Sequence, residues 1–119
     1  MSEYTDESSR TTIAPEVLLT IARLTTLEVT GVSRMSEVPG GVNRLFQRGI
    51  GEGVRIEIRE DEAVYADLYV ILKNDVNVRD VSRKIQHKVA RAISEMVGMQ
   101  VGRVNVHIED IDYPMEPEA

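Results

Sequence analysis

Residues 64–108 carry the pattern that most constrains the fold: an alternating apolar run, a stretch of helical period, then a second alternating run. In "AVYADLYVIL", Val64, Ala66, Leu68, Val70 and Leu72 take every second position, the period of a strand with one buried face. After Asn77, the residues Val78, Val81, Ile85, Val89, Ala92, Ile93 and Met96 recur at helical spacing. Asn77 reads as the N-cap, and Asp80 sits in the first turn, where a carboxylate meets the positive end of the helix dipole. Gly98 supplies the stop. "VGRVNVHIE" then buries Val104, Val106 and Ile108 and turns Arg103, Asn105, His107 and Glu109 the other way. Strand, helix, strand is a crossover unit, so the last strand is expected parallel to the one before the helix, with right-handed connection.

The preceding chain adds a strand and a helix. Val54, Ile56 and Ile58 alternate with Arg55, Glu57 and Arg59, and the polar "EDE" at 60–62 predicts an antiparallel hairpin with a loop of three to five residues. Upstream, Pro15 suits a first helical position, and Val17, Leu18, Ile21, Leu24 and Thr25 form a stripe, predicting a helix from about Pro15 to Glu28. "GVSRM" after it reads as a strand or a bend. If the hairpin's first strand sits between its second strand and the last one, both of its edges are paired. The fold class is α+β, two-layer: a mixed three- to four-stranded sheet with two main helices packed on one face. Residues 1–10 read as a disordered acidic tail, 11–111 as a single domain and 112–119 as an acidic C-terminal tail.

Composition removes several functions. There is no cysteine, so disulfides, thiolate metal sites and cysteine nucleophiles are excluded. The start "MSEYTDESSR" lacks the basic and apolar regions of a signal peptide, and no apolar run is long enough to span a bilayer, so a cytoplasmic location is expected. A net charge of -6 disfavours general polyanion binding.

The glycine run "GGVNRLFQRGIGEGV" has the residues of a phosphate cradle in the wrong place. A dinucleotide fingerprint opens a helix after a strand, whereas Gly49, Gly51 and Gly53 precede a strand, and no Gly-Lys-Ser/Thr follows. Val42, Leu45 and Phe46 instead have the spacing of one helical turn, with Arg44 and Arg48 on another side. The run predicts a short helix capped by Gly49 and a flexible glycine hinge into the hairpin. His87 and His107 are too few for a zinc site without converging carboxylates, although His107 and Glu109 share a strand face. No Ser or Thr stands in a nucleophile elbow. No catalytic, cofactor-binding or metal residues are assigned. Met96 and Met99 read as gap-filling core residues.

Two surfaces remain as candidate binding sites. If both helices cover one side of the sheet, the other side is open, and it gathers Tyr65, Asp67, Tyr69 and Ile71 with Arg55, Arg103 and His107. Tyrosine and arginine around an aliphatic residue suit the core of a protein interface, with a second copy or another protein. The helix at 78–97 carries Arg83, Lys84, Lys88 and Arg91, with His87 among them, a patch for an acidic partner, an anionic lipid or nucleic acid. Nucleic acid is the weaker option, because no aromatic platform accompanies the patch. An ordinary solvated surface is the plain alternative for both.

The stretches "IAPEVLLTIARLTTLEVTGVSRM", "GVRIEI", "ADLYVIL" and "VSRKIQHKVARAISEMVGMQVGRVNVHIEDI" together resemble the alkaline shock protein and Gls general-stress family of bacterial envelope stress response proteins. The resemblance covers roughly residues 12 to 111, and Met-Val-Gly-Met followed by Val-Asn-Val-His-Ile is its most specific part. "KNDVNV" departs from it, standing where relatives often carry an aromatic–glycine pair. The resemblance implies a cytoplasmic, non-enzymatic protein of cell-envelope homeostasis, without cofactor or catalytic residues. It further implies protein partners: some relatives reach the membrane through an integral membrane protein, and some are linked to control of fatty-acid precursor synthesis.

Overall fold

The computed structural model describes residues 9–40 and 49–114. Its elements in order are α1 (Pro15–Leu27), β1 (Val32–Met35), β2 (Ile50–Gly51), β3 (Val54–Ile58), β4 (Val64–Lys73), α2 (Val78–Val97) and β5 (Val101–Asp112). The fold is α+β, with a mixed five-stranded sheet and two helices on one face. The expected three or four strands become five because "GVSRM" does form a strand and Ile50–Gly51 adds a short one.

β4 is the centre of the sheet, and this corrects the expected order. β5 pairs with β4 directly, in parallel, from Val64↔Val101 to Lys73↔Asp112. The other edge of β4 is shared: β3 pairs antiparallel with Val64–Leu68, and β1 pairs antiparallel with Val70–Leu72. Consequently Leu68 to Leu72 are buried without interruption, and the apolar run "LYVIL" is the sequence mark of a strand covered on both faces. The expected hairpin is present, with residues 59–63 as its loop.

Gly49 to Gly53 do not form the expected loose hinge. Ile50–Gly51 pairs antiparallel with β3, and the connecting Glu52 and Gly53 both have positive φ, 49° and 82°, as a two-residue type I′ hairpin turn requires. The Gly49 carbonyl accepts from the Ile56 N–H at 2.7 Å. The helical turn expected at Val42, Leu45 and Phe46, with Arg44 and Arg48, lies outside the described residues.

Both helices begin close to where their sequence signals put them. On α2 the Asn77 side chain accepts from the Asp80 N–H at 3.0 Å, and Gly98 closes the helix in the left-handed region. Val81, Ile85, Val89 and Ile93 form its buried stripe, while Val78 and Met96 lie off it; Met96 is 70% exposed and so is not a core residue. Met99 does pack partly buried against the core. On α1 the buried positions are Leu18, Ala22 and Thr26, spaced by four, and Val17 and Leu24 of the expected stripe are exposed. A small alanine and a threonine lie inward because Ala22 allows close approach and the Thr26 hydroxyl donates to the Ala22 carbonyl at 2.7 Å. The core joins these positions to Val54 and Ile56 of β3 and the even-numbered residues of β4.

β5 continues to Asp112, one residue past the expected end of the domain. There the Asp112 carboxylate accepts from the Ser33 hydroxyl at 2.5 Å and from Nε and Nη2 of Arg34, each at 3.2 Å. β1 and β5 are thereby clasped across the end of β4.

Candidate interaction face

The sheet surface turned away from the helices is built by odd-numbered residues of β3, β4 and β5. Register brings Arg55 beside Asp67, Glu57 beside Tyr65, Tyr65 beside Arg103, Asp67 beside Asn105 and Tyr69 beside His107. The sequence therefore gathered residues that do meet in space, although two of them are not surface groups. Tyr69 is 8% exposed and Ile71 6%. One side of the Tyr69 ring is covered by the His107 ring, stacked at 4.5 Å between centroids and 11° between planes. The chain after β1 also approaches this end: Arg55 Nη2 donates to the Pro39 carbonyl at 3.3 Å, the Ser36 N–H to the Tyr69 carbonyl at 2.8 Å, and Val38 is buried.

Asp67 organises the middle of the face. Its Oδ1 accepts from Asn105 Nδ2 at 3.1 Å and lies 3.0 Å from His107 Nε2. Burial pushes the Asp67 carboxyl up, but the hydrogen bonds from His107 and Asn105, with the charges of His107 and Arg55, hold it below the ordinary carboxylate value. His107 thus turns to Asp67 rather than to Glu109. Among the described residues, no group of three or more His, Cys, Asp or Glu is placed to hold a metal ion.

At the other end Tyr65 is clamped. Its ring carries the Arg59 guanidinium 3.8 Å from the centroid, and its hydroxyl donates to Asp61 Oδ2 at 2.8 Å. The ring also lies over the Gly102 backbone, where a Cβ would collide with the ring carbon bearing the hydroxyl. Asp61 Oδ1 accepts the Ala63 N–H at 3.0 Å, and this bond, with that from Tyr65, holds the Asp61 carboxyl below its ordinary value. Asp61 and Gly102 were missed as parts of the face. Their signals were present in the sequence, since Asp opening a turn bonds its own backbone two residues on and an isolated glycine in a strand marks a close approach.

The basic surface of α2 is real but interrupted. Arg83, Lys84, His87 and Lys88 are exposed and have no ion-pair partner among the described residues. Arg91 is also exposed, yet its Nε bonds Glu95 Oε1 at 2.9 Å, one turn on, which offsets its charge. A groove of about 870 Å³ beside α1 and β1, lined by Leu27, Met35, Ile50 and Ile71, carries two arginines, each facing a carboxylate. Arg23 pairs with Glu52 at 2.5 Å, and Arg34 with Asp112. No helix among the described residues is long and apolar enough to cross a membrane.

Comparison with known proteins agrees with the resemblance read from the sequence. The chain is 35% identical over 101 residues to the uncharacterized protein Spy1535 of Streptococcus pyogenes, covering 83% of this chain and 76% of that one. It is 28% identical over 103 residues to the uncharacterized protein YqhY of Bacillus subtilis, covering 85% and 76%. Two solved variants of MamM CTD share the fold at TM-scores of 0.50 and 0.51, with 13% and 12% identity. Each alignment covers 82% of this chain, with 95% and 93% of the respective MamM CTD chains. The model of the alkaline shock protein 23 family, described as having a cell envelope-related function, matches residues 3–113. With that match over almost its entire length, the chain belongs to the alkaline shock protein 23 family.

Proposed function

We propose that this protein is a non-enzymatic interaction module of the envelope stress response, binding a protein partner through the sheet surface around Tyr65 and Arg103. The observation that carries the reading is the fixed aromatic and arginine group on that surface. Tyr65 is held by Gly102, Arg59 and Asp61, and Asp67 holds Asn105 and His107. Side chains already ordered lose little entropy on association, and tyrosine and arginine are the residues that anchor interfaces. Asp67, Tyr69 and Ile71 lie beneath as support, while Arg55, Arg59, Tyr65, Arg103 and His107 present the contact. The partner in this reading is an integral membrane protein that brings a cytoplasmic module to the envelope, an idea resting on the family resemblance, as does a link to control of fatty-acid precursor synthesis. The double variant Arg59→Glu with Tyr65→Ala tests it. The variant should melt close to the parent yet lose a partner that the parent retains after crosslinking in its native cells. Equal recovery of that partner would contradict the reading.

The exposed row Arg83, Lys84, His87 and Lys88 favours a second reading, in which α2 meets an anionic surface. It requires vesicle or duplex binding that weakens steeply as salt rises, and absence of binding at low salt removes it.

A further inference from the structure

We propose that a second copy of this chain pairs with the open edge of β5, antiparallel, with the twofold axis passing through Val106. Among the described residues β5 pairs only with β4, so one edge of a twelve-residue strand has no neighbour. Such an edge is a template for another strand unless it is short, bulged or blocked. Here the register shifts lie near the two ends, between Val64 and Tyr65 and between Val70 and Ile71, leaving Arg103 to Ile108 in one unbroken register.

The direction of the backbone groups follows from the pairing. In β4 the Tyr69 N–H donates to Gly53 and its carbonyl accepts from Ser36, so odd-numbered residues there face β3 and β1. Ala66, Leu68 and Val70 therefore face β5, where they bond the residues flanking their partners Val104, Val106 and Ile108. The N–H and C=O of Val104, Val106 and Ile108 are left pointing to the open edge. A side chain of α2 reaches one of them, Gln86 Nε2 donating to the Val104 carbonyl at 3.3 Å, and that oxygen keeps a second lone pair. One turn to either side of Gln86, α2 carries Ser82 and Ala90, so no long side chain projects from those positions of the helix.

Centring the twofold on Val106 makes the strand complementary to itself. Val106 then faces its own copy and Val104 faces Ile108, all through the open backbone groups, while Val101 faces Ile111. Asn105 faces His107, and Arg103 comes opposite Glu109, the residue skipped where the register with β4 shifts. Arg103 and Glu109 are both exposed and have no ion-pair partner among the described residues, so each supplies what the other lacks. Val104, Val106 and Ile108 are only partly buried, leaving apolar surface for the copy to cover. The result is a continuous ten-stranded sheet; Arg103 and His107 border both contacts, whereas Arg59 and Tyr65 belong to the partner contact and the Val106 N–H to the self-contact alone.

Sedimentation velocity over a concentration series, on the full chain and three variants, tests this register. The parent should be a dimer. Val106→Pro removes an N–H that only the second copy uses, and proline is tolerated at an open edge, so this variant should remain folded by circular dichroism and sediment as a monomer. Arg103→Glu sets like charges opposite each other twice per dimer and should weaken association roughly tenfold or more. Arg103→Glu with Glu109→Arg should restore it, which a merely structural effect of either change would not do. A parent that is monomeric at every concentration overturns the proposal. So does a dimer that both single changes leave intact, or a double variant no tighter than Arg103→Glu.

Discussion

Gly53 stands where β3, β1 and β4 come together. At φ 82° its position would place a Cβ 2.5 Å from the Ser36 carbonyl oxygen, 2.8 Å from Met35 Cβ and 2.9 Å from the Tyr69 carbonyl oxygen. Backbone atoms cannot move aside as a side-chain tip can, so Gly53→Ala should cost roughly 2–4 kcal/mol of stability, from strain and crowding together. A urea midpoint equal to the parent's would contradict this placement. Asp67 gives a prediction in pH. Its carboxyl is held low in the folded state, so its stabilising effect is full above the ordinary carboxylate value of about 4 and is lost as pH falls through the depressed one. Asp67→Asn should therefore flatten part of the acid limb of a stability–pH profile, leaving the parts due to Asp61 and Asp112, which are also held low. An acid limb unchanged by the substitution would show that Asp67 bears no such load. Single residues were the least legible scale: nothing local in "DLYVIL" says that Tyr69 is covered by the ring of His107, distant in the sequence and on another strand.

At the scale of elements, legibility followed periodicity and caps. α2 was readable because its stripe, its N-cap and its left-handed glycine all point to the same boundaries, and its cap can be weighed directly. Asn77→Ala leaves the Asp80 N–H without its acceptor and should destabilise by about 1 kcal/mol, readable as a lower thermal midpoint with α2 still formed. No change in midpoint would mean that solvent replaces the cap at no cost. β2 was not readable, because a two-residue strand has no period and Glu-Gly is not among the strong hairpin signals. The order of strands also escaped a local reading. Alternation identifies which face of a strand is buried, but pairing at its edges is decided by the neighbours, and only the apolar run "LYVIL" at 68–72, buried throughout in the fold, marks β4 as central. α1 shows the limit of an apolar stripe. The helix buries Ala22 and Thr26 in preference to Val17 and Leu24, because depth in the core is set by how closely the helix approaches its neighbours.

The whole molecule divides its surfaces by role. One side of the sheet is covered by α1 and α2 and makes the core, the opposite side carries the fixed tyrosine, arginine and histidine group, and β5 leaves an edge that is complementary to itself. The family match places the protein in cell envelope-related function, and the sheet surface is where the proposed partner contact lies. A photoactivatable residue, introduced in turn at Tyr65 on the sheet and at Lys84 on α2 and irradiated in the native cells, separates that surface from the basic helix most directly. A discrete adduct with an integral membrane protein is expected from position 65 and none from position 84. Adducts from position 84 alone, or none from position 65, would contradict it.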